Sequence, residues 1–126
     1  MSLIEVLVAI LIFSFGIVGL IGLQARALQY STSAEDTSRA ALLANELAAT
    51  IVLSQPNPRT PIVVPAPAYA AWQLRVGDPT TAGLPNGTGI VTIIDANTAD
   101  ITISWLPQAA AAGAQRNKYV TQVIVP

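Results

Sequence analysis

Glu5 is the residue whose type and setting most demand a chemical reason. It is a carboxylate within MSLIEVLVAI, an otherwise uncharged and apolar opening, and taking such a group into hydrocarbon costs roughly 3 kcal/mol even on generous insertion scales. Two readings stay open. Glu5 either lies just outside a membrane as a first-turn acid favoured by the helix N-terminal dipole, or it is buried with a countercharge. In the second case the nearest cation is the chain's own α-amino group or the amino terminus of a neighbouring copy, and pairing offsets the burial cost. Further along, Asp95, Asn97 and Asp100 place oxygen ligands around a short turn. They are weak candidates for calcium, because their spacing does not match a twelve-residue EF-hand loop with its closing glutamate. A solvated hairpin turn in which Asn and Asp bond their own backbone is the better reading, so no metal is assigned. Asn86-Gly87-Thr88 fits a glycosylation sequon, yet Asn-Gly is a tight-turn signal, and the turn is preferred. The sequence has no cysteine and no histidine, which removes thiol nucleophiles, disulfides, imidazole metal ligands and the usual general base. No catalytic residue and no cofactor is assigned, and the chain reads as a non-enzyme. Six Lys+Arg in a chain of net charge -1 leave no basic footprint, so no nucleic-acid partner is expected.

The elements that must position these groups follow from where the hydrophobicity lies. Hydrophobic residues make up 52% of the 126 and charged residues only 10%, with mean hydropathy +0.55; an ordinary soluble domain carries about 25% charged residues. The excess is concentrated in 6–23, VLVAILIFSFGIVGLIGL, whose most polar member is Ser14. As a helix it is roughly 27 Å long, close to the hydrocarbon thickness of a bilayer. Glu5 ahead of it and the lack of an A-x-A site behind it argue against a cleaved signal peptide. Gly16, Gly19 and Gly22 recur every three residues within this stretch, each costing about 1 kcal/mol relative to alanine in a helix interior. Close packing of helices, local melting during extraction from the bilayer, and the general abundance of glycine in membrane helices all remain open for them.

From 24 to 53 the helix is expected to continue as an amphipathic one, with Ala40, Leu43, Leu47 and Ile51 on a single face that needs a partner. Arg39 and Glu46 lie off that row. Ser33 and Asp36 would supply a cap if the helix broke in its softest segment, but continuity is favoured. Pro56, Pro58 and Pro61 then end it. The proline-rich 55–68 reads as extended loop, with Ile62, Val63 and Val64 able to cover part of a core. Four strands are predicted. The first, 72–76, alternates Trp72, Leu74 and Val76 against Gln73 and Arg75; the others are 90–94, 101–106 and 119–125, with loops at 83–89 and 108–117. The last three form a meander whose inner face receives the Ala40/Leu43/Leu47/Ile51 stripe. Trp72, Trp105 and Tyr69 are assigned to the core. The expected class is α+β, and the expected organisation is a hydrophobic transmembrane or filament-core segment at 1–23, an amphipathic continuation at 24–54, and a loop-and-sheet region at 55–126 that forms one head with 24–54.

Ser2-Leu3-Ile4-Glu5-Val6-Leu7-Val8-Ala9 resembles the start of type IV pilins and type II secretion pseudopilins. The resemblance implies a pilin-like fold, a long N-terminal helix packed by its distal half on a small antiparallel sheet. It further implies that a prepilin peptidase cuts after a glycine and that Met1 is the processed, N-methylated first residue. Glu5 would then neutralise the terminal amine of an adjoining subunit. Gly16 to Ala25, Ala27-Leu28 and Leu42 to Ala48 are similar to minor pilins of the PilV type, which join the initiating complex near the pilus tip. Gly22 stands where major pilins generally carry a helix-breaking proline, which favours a minor subunit, and the family's carboxy-terminal disulfide loop cannot form. What the resemblance implies is a single-pass protein of the bacterial inner membrane with a periplasmic head, later part of a pilus associated with twitching motility and cell adhesion. Its implied partners are other minor pilins and the major pilin, the prepilin peptidase, a tip adhesin, and the lipid bilayer before assembly. The nearest rival is the small type II pseudopilin of the GspI type, and a third reading is a periplasmic binding module that uses 1–23 only as an anchor.

Overall fold

The computed structural model describes residues 2–57 and 60–126. Its elements in chain order are helix α1 (Leu3–Leu53), helix α2 (Ala66–Val76), a short 3₁₀ turn (Pro79–Thr81), and strands β1 (Thr88–Ile93), β2 (Thr98–Trp105) and β3 (Asn117–Ile124). The class is α+β, with the long N-terminal helix and small antiparallel sheet expected of a pilin-like fold. By internal contacts the chain divides into two units, one ending at Ala34 and one running Glu35–Pro126.

Helix α1 passes through Ser33 and Asp36 without a break. Its hydroxyl residues are absorbed by the helix itself: Ser14 Oγ donates to the Ile10 carbonyl at 2.8 Å and Thr32 Oγ1 to that of Leu28 at 3.0 Å. The end of α1 has a local cause. Pro56 and Pro61 follow it in the chain, and the last carbonyls find side-chain donors: Ser54 Oγ and Gln55 Nε2 both bond the Ile51 carbonyl, at 2.9 and 3.0 Å. Pro58 lies outside the described residues.

In the second unit α1 buries Ala40, Leu43, Ala44, Leu47 and Ile51 against Ala99, Ile101, Ile103, Trp105 and Val123 of the sheet, together with Ile62, Trp72, Val76, Leu84 and Val125. The stripe read from i, i+3, i+4 spacing is thus the core face of the helix. The sheet is a meander in the order β1-β2-β3, all antiparallel. Strand β2 alternates strictly, with Ala99, Ile101, Ile103 and Trp105 inward and Thr98, Asp100, Thr102 and Ser104 on the other face, which is the pattern of a strand covered on one side. The connection between β1 and β2 spans 94–97, two residues shorter than the 95–100 turn suggested by composition. The predicted loops at 83–89 and 108–117 likewise give up Thr88, Gly89 and Asn117 to strands.

One element differs in kind. Residues 72–76, expected as a strand, form the second half of helix α2, and 66–68, expected as loop, form its start. The sheet therefore has three strands. Trp72 and Val76 are buried while Leu74 is 77% exposed, so the apolar spacing that matters is i, i+4 and Trp72 and Leu74 do not share a face. Ala66, Ala68, Ala70 and Ala71 supply helix propensity, and Pro67 lies in the first turn, where its missing N–H costs nothing.

Candidate functional site

The first unit presents an apolar helical surface without cover of its own. From Leu3 to Leu23 every residue is exposed, and α1 is long and apolar enough to cross a membrane. Its most apolar eighteen-residue window has mean hydropathy 2.8 and no buried residue. So much apolar area left in water is unfavourable at about 25 cal/mol per Å², and the segment needs either lipid or other apolar helices around it.

Glu5 is the only ionisable side chain between Ser2 and Ala25. It stands exposed in the first turn of α1, where its own N–H donates to the Ser2 carbonyl at 3.1 Å. Beside it Ser2, Leu3, Val6 and Leu7 line a shallow apolar hollow. The carboxylate is thus held at the helix N-terminus, where the dipole favours an anion, and among the described residues no cation pairs with it. Met1, expected as the processed and methylated residue, lies outside the described residues. At Gly16, Gly19 and Gly22 an added Cβ would meet nothing within 4 Å. Nothing among the described residues therefore requires glycine there, and packing against foreign helices, easy melting and the general abundance of glycine in membrane helices all remain compatible with them.

The other sequence candidates have separate roles. Ala40, Leu43, Leu47 and Ile51 are buried in the head. Asp95 Oδ1 accepts from the Asn97 N–H at 2.8 Å, Asn97 Nδ2 donates to the Val125 carbonyl at 2.8 Å, and Asp100 Oδ1 accepts from Gln122 Nε2 at 3.1 Å. Each of the three serves the hairpin or the sheet. The Asp95 carboxyl is held below its ordinary range by hydrogen bonds from the Asn97 backbone and from Thr98. Asn86, at φ 50, occupies the left-handed region, and the Gly87 N–H closes the turn onto the Leu84 carbonyl at 3.0 Å. Trp72 and Trp105 are core residues, and Tyr69 packs against that core while half-buried.

Two arrangements were not visible in the sequence. Asp36, which composition suggested as a cap, is 6% exposed on the core row of α1, and burial pushes its carboxyl up, against the lowering effect of Arg39. Glu46, off the apolar row, pairs with Arg75 of α2 at 2.6 Å. The i, i+4 spacing of Asp36 and Ala40 was the available signal for the first; nothing local announced the second. No family model, curated protein or solved structure matches the chain.

Proposed function

We propose that the chain is a structural minor subunit of a type IV pilus, held in the bacterial inner membrane by the apolar part of α1 and later incorporated into the initiating or tip complex through that same helix. The observation that carries this reading is a single carboxylate, Glu5, in the exposed apolar part of α1, with no ion-pair partner among the described residues. The opening Ser2 to Ala9, with its likeness to type IV pilins, supports it. The prepilin peptidase belongs to the same reading as the enzyme that prepares the subunit.

The physical logic runs through differential stabilisation. Transfer of an apolar helix from lipid into a bundle of similar helices gains little from the hydrophobic effect, because both surroundings are apolar. Shape and charge pairing must then direct assembly. A buried carboxylate without a partner is costly, and a neighbouring terminal amine removes that cost. Glu5 therefore favours the arrangement in which a second subunit's terminus lies beside it over lipid-surrounded or misregistered alternatives.

The test compares wild type, Glu5→Ala and Glu5→Gln in native membranes by crosslinking and co-purification with neighbouring pilins, with membrane fractionation as the control. All three should insert equally, and only wild type should capture partners efficiently. Equal capture by all three would overturn the role of Glu5. If replacing residues 1–23 by an unrelated span also preserved function, the segment would be an anchor and the chain a periplasmic binding module.

A further inference from the structure

The two edges of the sheet are finished differently. Antiparallel strands alternate between residues that bond their neighbour and residues whose N–H and C=O point away. The Ile94 N–H bonds the Thr98 carbonyl at 2.9 Å, which sets the parity of the β1–β2 ladder: Thr88, Ile90 and Thr92 face β2, and Gly89, Val91 and Ile93 turn their backbone groups outward. Helix α2 meets that outward edge. The Val91 N–H donates to Tyr69 Oη at 3.3 Å, and Gln73 Nε2 donates to the Gly89 carbonyl at 3.0 Å.

On the other side the Val125 N–H bonds the Asn97 carbonyl at 2.8 Å. By the same alternation Asn117, Tyr119, Thr121 and Val123 bond β2, while Lys118, Val120, Gln122 and Ile124 turn their N–H and C=O groups outward. Among the described residues no hydrogen bond reaches these outward groups. Their side chains share the solvent face of the sheet and are all exposed. An open row of backbone donors and acceptors on an eight-residue strand is a template for one more strand.

We infer that the free edge of β3 is a strand-addition site for an extended segment of another protein chain, one carrying apolar β-branched residues opposite Val120 and Ile124 and a carboxylate opposite Lys118. Main-chain bonds would supply affinity, and the alternate side chains would supply selectivity. Lys118 argues for a foreign segment. Its ammonium has no ion pair among the described residues, and β3 itself, NKYVTQVI, contains no acid. Pairing β3 with a second β3 therefore sets no acidic side chain of β3 opposite Lys118. The site goes beyond the proposed function and uses no residue of the apolar helix.

The test uses the full chain in detergent micelles and a fluorescein-labelled peptide, acetyl-Thr-Ile-Thr-Thr-Thr-Val-Thr-Glu-Thr-amide, which in antiparallel register sets Glu against Lys118. Fluorescence anisotropy should show saturable binding to wild type, and hydrogen exchange should show new protection of the Val120, Gln122 and Ile124 amides. Val120→Pro removes one outward donor at an edge position where proline is tolerated, and it should weaken binding about tenfold. Lys118→Glu, which keeps the backbone intact, should lose the Glu peptide and gain one with Lys in its place. Equal binding to wild type and both variants, or protection elsewhere, would overturn the inference. So would efficient disulfide-linked dimers of Gln122→Cys, which would give the edge to a second copy.

Discussion

Gly89→Ala tests the packing of the head at its tightest point. Gly89 is in β1, and a Cβ there would lie 3.3 Å from Trp72 Cε3 and closer still to Cζ3 and Cη2. The ring cannot simply swing aside. Trp72 is 1% exposed, its Nε1 donates to the Leu43 carbonyl at 2.8 Å, and it stacks on Tyr69 with ring centroids 6.0 Å apart. Overpacking of a filled core costs about 1–3 kcal/mol, and disturbing the Trp72 hydrogen bond adds about 1 kcal/mol. Alanine returns roughly 0.5 kcal/mol by restricting the unfolded chain. The net expectation is a loss of about 2–3 kcal/mol, or a fall of roughly 10–20 °C in Tm for a unit of this size. The assay is urea and thermal unfolding of the full chain in detergent, followed by tryptophan emission. Both tryptophans are buried in the head core, so the signal is independent of the apolar helix. Gly113→Ala is the control: its φ of 80 is strained for alanine, but the space around it is open, and its cost should be about 1 kcal/mol. A Gly89→Ala midpoint equal to wild type, or a larger loss in the control, would refute the packing argument.

Two further expectations concern carboxyl groups of the head. Burial raises the Asp36 carboxyl above its ordinary 3.8, so the folded state holds this proton more tightly than the unfolded one, and stability falls as pH rises from that value through the folded pKa. Asp36→Asn should therefore be more stable than wild type at neutral pH, with the gap closing in acid; unfolding midpoints across that range check the sign, and a less stable variant at neutral pH would contradict it. Asp78 is the opposite case: hydrogen bonds from the Thr80 side chain and backbone lower its carboxyl, and its side chain caps the 3₁₀ turn at the Thr80 N–H, 2.9 Å away. Its stabilising contribution is present above the unfolded pKa and lost as pH falls through the folded one. Asp78→Ala should lower Tm at neutral pH and match wild type in strong acid, and a pH-independent difference would point to loop packing instead.

What could be read from sequence depended on how local the cause was. The core stripe of α1 was legible because Ala40, Leu43, Leu47 and Ile51 repeat at helical spacing over three turns, and β2 because Ile101, Thr102 and Ile103 are β-branched and follow a turn-rich segment. Glu5 stood out because one charge in a long apolar run needs no tertiary information to be conspicuous. Five residues from Trp72 to Val76 are too few to separate period 2 from period 3.6, since positions 72 and 76 share a face in either geometry. The alanines upstream held the missing information. The burial of Asp36 was not legible, because it depends on which elements close over that turn of α1. For the same reason the open edge of β3 could not be read, since both outer strands look alike until the element covering one of them is known.

Helix α2 links these points. As a strand, 72–76 would have paired by its backbone with one edge of the meander and moved the open edge outward by one strand. As a helix it uses side chains instead. Tyr69 and Gln73 cap two outward groups of β1, Trp72 fills the space that Gly89 leaves and bonds the α1 backbone at Leu43, and Arg75 reaches Glu46. The last contact is between half-exposed side chains and is worth at most about 1 kcal/mol, so the indole, with its buried area and its hydrogen bond, dominates the attachment. A single helix thus closes one edge of the sheet while fixing it to the core face of α1. Substitutions in α2 should therefore disturb β1 and α1 together while leaving the β2–β3 ladder paired. Hydrogen exchange on Tyr69→Phe can decide this: early loss of protection at Val91 with unchanged protection at Thr121 and Val123 is expected, and uniform loss would show that the sheet opens as one unit.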